Sequence, residues 1–129
     1  MIGDKKMGGK ILSYRDLEVW ENGVKLAKDI YRLTETFPNH ELYSLTSQLR
    51  RASVSVPSNI AEGFVRNSTK EFIYFLFISL GSLAEIETQI EIAIELNYTN
   101  IAKTEELKNF IQVLMKQIRT LINSLKNKL

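Results

Sequence analysis

The strongest constraint in this sequence is a set of four apolar stripes, each recurring at three and four residues and each followed by a short polar break. That interval places side chains on one face of a helix of about 3.6 residues per turn. Over residues 16–37 the stripe is Leu17, Trp20, Val24, Ala27 and Tyr31. Over 41–64 it is Leu42, Leu45, Leu49, Ala52, Val56, Ile60 and Gly63. Over 70–96 it is Phe72, Leu76, Ser79, Leu83, Ile86, Ile90 and Ala93, widened by Phe75, Leu80 and Ile94. Over 104–126 Leu107, Ile111, Leu114, Ile118, Leu121 and Leu125 hold a heptad-like seam. No segment alternates with the period of a strand. Short connections make consecutive helices neighbours, so the expected fold is all-α, an antiparallel up-down-up-down four-helix bundle. Residues 13–129 are expected to form one domain behind a flexible tail, residues 1–12, which has no periodicity.

The breaks carry suitable capping chemistry. Ser13 and Asp16 have the spacing of a capping box. Pro38 and Asn39 end the first helix. Asn67 and Ser68 mark a turn, with Ser68 or Thr69 capping the third helix. Asn97 and Asn100 read as a stop and a turn. The exception is Pro57, which falls inside the second helix. It lacks an amide hydrogen and collides with the carbonyl of Ser53, a break that costs about 3 kcal/mol in an ordinary helix interior. A helix kink is therefore expected at Pro57, relieved by Ser53 and Ser55 bonding freed carbonyls and by close packing of Ala52, Ser53, Ser55, Ser58 and Ala61.

Composition narrows the chemistry. A chain of 129 residues with 44% hydrophobic and 25% charged residues has the make-up of a globular domain. There is no cysteine, so disulfides, thiolate metal sites and cysteine nucleophiles are excluded together. The longest apolar run, 72–83, is interrupted by Ser79, Gly81 and Ser82, short of the roughly 18 residues of a membrane span. A cytoplasmic protein without membrane contact is the expectation. Net charge is only +2, but it is segregated: residues 71–100 hold five acidic and no basic groups, and residues 101–129 hold six basic and two acidic. The third and fourth helices should complement each other.

Enzyme signals are weak. His40 is the only histidine and sits in an expected turn beside Pro38 without a positioned partner. Gly8, Gly9 and Lys10 fail the phosphate-loop pattern, because Asp4 and Ile11 stand where Gly and Ser or Thr are required. Glu87, Glu91 and Glu95 share a face of the third helix, but the Glu-x-x-His pairs of dinuclear bundles are absent, and a lysine-bearing fourth helix offers them partners. No catalytic residue, metal or cofactor is expected. Asn59 and Glu62 flank the stripe of the second helix and are expected to form a structural polar network. Arg50 and Arg51 point about 100° apart, so at least one must reach solvent or a neighbouring chain. With Arg66 and Lys70 they make a basic set suited equally to phosphate contact and to ion pairs with Glu residues of a neighbouring helix or subunit, with Lys116, Arg119 and Lys126 secondary.

Three segments also carry a family resemblance: YRDLEVWENGVKLAKDIYRLTETFP, YSLTSQLRRASVSVPSNIAEGF and STKEFIYFLFISLGSLAEIETQIEIA. Together they resemble the four-helix bundle proteins encoded in intervening sequences of bacterial 23S ribosomal RNA genes. The most specific part is LTSQLRRA followed by SVPSNIAEG, residues 45–63. The resemblance implies a left-handed bundle assembled as a ring-shaped homopentamer. The family is similar in turn to the accessory protein of diversity-generating retroelements, a pentameric bundle that binds nucleic acid and a reverse transcriptase. The expected function is then a non-catalytic oligomeric module binding nucleic acid, RNA ahead of DNA. The alternative is a protein-interaction scaffold that docks a partner enzyme.

Overall fold

The sequence breaks become real helix ends in the computed structural model, which describes residues 10–129. Four helices follow in order: α1 (Glu18–Thr34), α2 (Leu45–Val65), α3 (Thr69–Glu95) and α4 (Ile101–Lys126). Ser68 accepts from the Glu71 amide and Asn100 from the Lys103 amide, satisfying free N–H groups at the starts of α3 and α4. Asn67 and Asn97 turn the chain out of α2 and α3 at φ 57° and 62°, a left-handed conformation that Asn tolerates better than most residues. The Ser13–Asp16 capping box forms, but it caps a short 3-10 turn, Tyr14–Asp16, and α1 begins only at Glu18. A second 3-10 turn, Asn39–Glu41, delays α2 to Leu45, which leaves Leu42 outside the stripe and exposed. The tail expected at residues 1–12 lies outside the described residues up to residue 9; Ile11 is half-buried against the core.

α1 packs on α2 and α4, and α3 packs on α2 and α4, while the backbones on either diagonal stay apart. Along each neighbouring pair the numbering rises on one helix as it falls on the other. Thr34 meets Arg50 and Gly23 meets Pro57 between α1 and α2. Ser55 meets Ser82 and Gly63 meets Phe75 between α2 and α3. Glu91 pairs with Lys108 between α3 and α4, and Asn22 with Gln117 between α1 and α4. The core is one cluster. Leu49 and Ile60 from α2, Leu76, Leu83, Ile86 and Ile90 from α3, and Ile111, Leu114 and Ile118 from α4 are fully buried. Each such side chain is worth about 1.5–3 kcal/mol in water-to-core transfer. α3 is long and apolar enough to cross a membrane by length and composition, yet its main stripe forms the centre of this core.

The stripes of α2, α3 and α4 are those read from the sequence, apart from Leu42. That of α1 is rotated by one residue. The buried set is Val19, Gly23, Leu26, Ile30 and Thr34, while Val24 is 44% and Tyr31 43% exposed. Gly23 sets the rotation: a Cβ there would lie 3.1 Å from the Pro57 Cβ, so the α1 backbone itself approaches α2. The large apolar residues Trp20, Val24 and Tyr31 outweigh a glycine and a threonine in a sequence reading, but the small residues face inward.

Candidate nucleic-acid interface

α2 meets α3 through small polar residues. The Ser79 hydroxyl donates to the Val56 carbonyl at 2.8 Å in the core. Ser55 and Ser82 share a hydrogen bond of 2.9 Å, and Asn59 Nδ2 donates to the Ser55 carbonyl at 2.8 Å and to its hydroxyl at 2.9 Å. These bonds satisfy buried polar atoms and fix the register of the pair. α2 is assigned as one helix through Pro57. The serine hydroxyls are used differently from the expectation. Ser53 donates to the Arg50 carbonyl at 2.8 Å and Ser55 turns to α3, so neither is spent on the Ser53 carbonyl that Pro57 leaves without its helical donor. Asn59 belongs to the polar network, whereas Glu62 lies outside it, on the surface, bonded to Arg66.

The basic residues divide by their surroundings. Arg50 is half-buried; its Nε donates to Thr34 Oγ1 at 2.9 Å and its guanidinium lies 4.7 Å from the Tyr31 ring centroid, which fastens α2 to the end of α1. Arg66 pairs with Glu62 at 2.8 Å and Glu71 at 3.6 Å and covers the Phe75 ring, bridging the α2–α3 turn. Lys126 sits 5.4 Å from the Phe77 ring. Arg51 is exposed and, among the described residues, donates only to Ser47 Oγ, at 2.6 Å. Lys70, Lys116 and Arg119 are exposed, and no acidic partner lies within ion-pair distance among the described residues. The seven cations are not gathered in one place, because α2 and α4 occupy opposite corners of the bundle. Of the acidic face on α3, Glu91 pairs with Lys108, as the charge segregation implies, and Glu87 accepts from the neutral Gln112. No group of three or more potential metal ligands converges among the described residues.

His40 lies at a corner of the bundle. The Tyr98 hydroxyl donates to Glu41 Oε1 at 3.1 Å and lies 3.4 Å from His40 Nε2. Glu41 Oε2 accepts from the Ser44 hydroxyl at 2.7 Å and the Leu45 amide at 3.1 Å. The serine bond, then the amide bond, hold the Glu41 carboxyl below its ordinary pKa. Burial, then the bond to Glu41, push the Tyr98 phenol up. Ser44 bonds the carboxylate and not the imidazole, so the corner is a helix cap clasped by a tyrosine, without the Ser–His contact that nucleophilic catalysis needs.

The family model of the 23S rRNA-intervening sequence proteins matches residues 15–120, from the turn before α1 to the last turns of α4. The chain belongs to that family. Among solved structures, it is similar to the crystal structure of a protein with unknown function from the S23 ribosomal protein family of Bacteroides thetaiotaomicron. The identity is 24%, the TM-score 0.75, and the match covers 81% of this chain and 95% of that one. The likeness establishes the shared bundle. No curated protein matches. Neither the family nor the solved structure indicates a catalytic family.

Two features of the bundle are not visible in the sequence pattern of any single helix. The first is the pairing of cations with aromatic rings, as in Arg50 on Tyr31 and Lys25 on Phe110. The partners are far apart in sequence, so no local signal exists. The second is an open cleft of about 360 Å³ between α2 and α3, lined by Gln48, Arg51, Ser55, Ser82, Glu85 and Gln89 above Ala52. Its signal was present: Gln48, Arg51 and Ser55 have the same three-then-four spacing as Ser82, Glu85 and Gln89, in reverse order of residue type.

Proposed function

We propose that this protein is a non-catalytic, oligomeric four-helix bundle of the cytoplasm that binds nucleic acid, RNA in preference to DNA, through phosphate contacts. The observation that carries the reading is the set of exposed cations without acidic partners among the described residues: Lys70, Lys116 and Arg119, with Arg51 bonded only to a serine. Lysines and arginines left unpaired on a rigid helical surface are what a polyanion displaces counterions to reach. Arg50, Arg66 and Lys126 are engaged within the fold and act chiefly as supports. The family's link to ribosomal RNA genes favours RNA. A ring-shaped homopentamer would gather the scattered cations of several subunits, and the exposed Tyr74, Phe77 and Ile92 of α3 supply apolar surface for such contacts.

Fluorescence anisotropy against a panel of labelled RNA and DNA oligonucleotides tests this. Binding at low salt that weakens steeply as salt rises is expected; no binding to any member at low salt overturns the reading. The same exposed side chains of α3 also favour the scaffold reading, in which the bundle docks a partner enzyme. Retention of one stoichiometric protein partner after nuclease treatment, with no nucleic acid bound, would select it.

A further inference from the structure

The cleft between α2 and α3 is a ladder whose rungs are not all closed. Because the two helices run in opposite directions, the reversed spacing sets Ser55 against Ser82, Arg51 against Glu85, and Gln48 against Gln89. The serine rung is closed at 2.9 Å. The other two are open. Arg51 and Glu85, both exposed, form no ion pair and so leave their polar groups open to a ligand. Arg51 instead bonds back along its own helix to Ser47. Gln89 Oε1 is fully covered and meets no donor among the described residues, so this rung is not closed by a bond to Gln48. The Asn59–Ser55–Ser82 bonds hold the helices at this separation, so the opening is pre-formed.

The walls differ in chemistry. α2 offers a donor wall, the Arg51 guanidinium. α3 offers an acceptor wall, the Glu85 carboxylate. At about 360 Å³ the cleft is at the small end of ligand sites, which run to about 300–1,000 Å³. That is room for one base and not for a duplex. Ala52 and the two serines leave the floor free of bulky side chains.

We infer that this cleft takes one unpaired guanine base of a bound single strand, a proposal that rests on the nucleic-acid reading above. Guanine is the base that presents two adjacent donors, N1–H and the N2 amine, on one edge and two acceptors, O6 and N7, on the next. The two carboxylate oxygens of Glu85 accept from the first edge, and Arg51 donates to O6 and N7, the commonest specific arginine contact to a base. Adenine sets its N1 lone pair against a carboxylate. Cytosine and uracil each bring a single donor group to that edge. Access requires a base free of its pairing partner, the usual target of sequence-specific RNA readers.

The test uses the full-length protein and labelled RNA heptamers of uridine whose central position is G, inosine, A, C or U, measured by anisotropy at one low salt concentration. The central G heptamer should bind roughly tenfold tighter than the all-U heptamer, the scale of one good bidentate contact. Inosine, which lacks the N2 amine but keeps N1–H, O6 and N7, should lose part of that gain. In Glu85→Ala, with folding confirmed by circular dichroism, the G-to-U affinity ratio should fall severalfold, the Arg51 contact to O6 and N7 remaining. Equal binding of all five heptamers, or an undiminished ratio in Glu85→Ala, overturns the guanine site while phosphate-driven binding stands. Absence of binding by every heptamer overturns both.

Discussion

α2 and α4 stand at opposite corners of the bundle and solve the same packing problem with different residues. α4 buries Ile111, Leu114, Ile118, Leu121 and Leu125 in a heptad-like row. α2 alternates aliphatics with Ala52, Ser53, Pro57 and Gly63, and its buried polar atoms bond across to α3. Their charges differ in the same way. Arg50 and Arg66 of the α2 region are tied to rings, hydroxyls and carboxylates, whereas Lys116 and Arg119 of α4 stand free among the described residues. α4 spends its aliphatic side chains on volume and leaves Lys116 and Arg119 to solvent, while Lys108 and Lys126 near its ends meet α3. α2, with its small residues, approaches its neighbours closely and recruits Arg50 to hold that contact, leaving Arg51 exposed.

Mutations can break that contrast. The largest effect belongs to α4: Leu114→Ala removes a fully buried side chain and should cost about 2–5 kcal/mol in urea unfolding. Next comes the division of the cations. Arg50→Ala gives up a charged hydrogen bond and a ring contact and should cost about 1–3 kcal/mol. Arg119→Ala should stay within about 0.5 kcal/mol of wild type. Equal losses at the two positions would erase the distinction between them.

The glycines give a smaller and signed test. A Cβ on Gly63 would lie 2.7 Å from the Phe75 Cβ, so Gly63→Ala should destabilise by about 1–2 kcal/mol even after the gain in helix propensity. Gly81 has open space, and Gly81→Ala should stabilise the isolated bundle by up to about 1 kcal/mol. A loss at Gly81 would instead mean that another chain approaches α3 there.

The smallest effect is pH-dependent. Glu41 is held below its ordinary pKa of 4.5 in the fold, so its contribution is present above that value and lost as pH falls through the folded pKa. The stability gap between wild type and Glu41→Gln should therefore narrow in acid, as followed by thermal melts from neutral pH downward.

Much of the fold was legible because aliphatic periodicity and Asn or Ser caps are local signals. The α4 row and the Ser68 cap needed no tertiary knowledge. The α1 face was misread because its orientation is decided by the approach of Gly23 to Pro57, a contact between residues far apart in sequence. The candidate site was legible in residue type but not in role. Arg50 and Arg51 are adjacent and chemically identical, and only the position of Tyr31 and Thr34 separates a clamp from a free charge. The cleft could have been found by comparing spacings on consecutive helices, since the reversed order of polar types is visible once the helices are taken as antiparallel.

The central claim is that free cations, and not those built into the fold, carry nucleic-acid binding. The direct measurement is the salt dependence of affinity for single-stranded RNA in wild type, in the Lys116→Ala, Arg119→Ala double variant, and in Arg50→Ala. The double variant should lower the steepness of log affinity against log salt by about 1.4, roughly 0.7 for each phosphate that is no longer neutralised, and Arg50→Ala should keep the wild-type slope. An unchanged slope in the double variant, or a reduced slope in Arg50→Ala alone, would contradict the account.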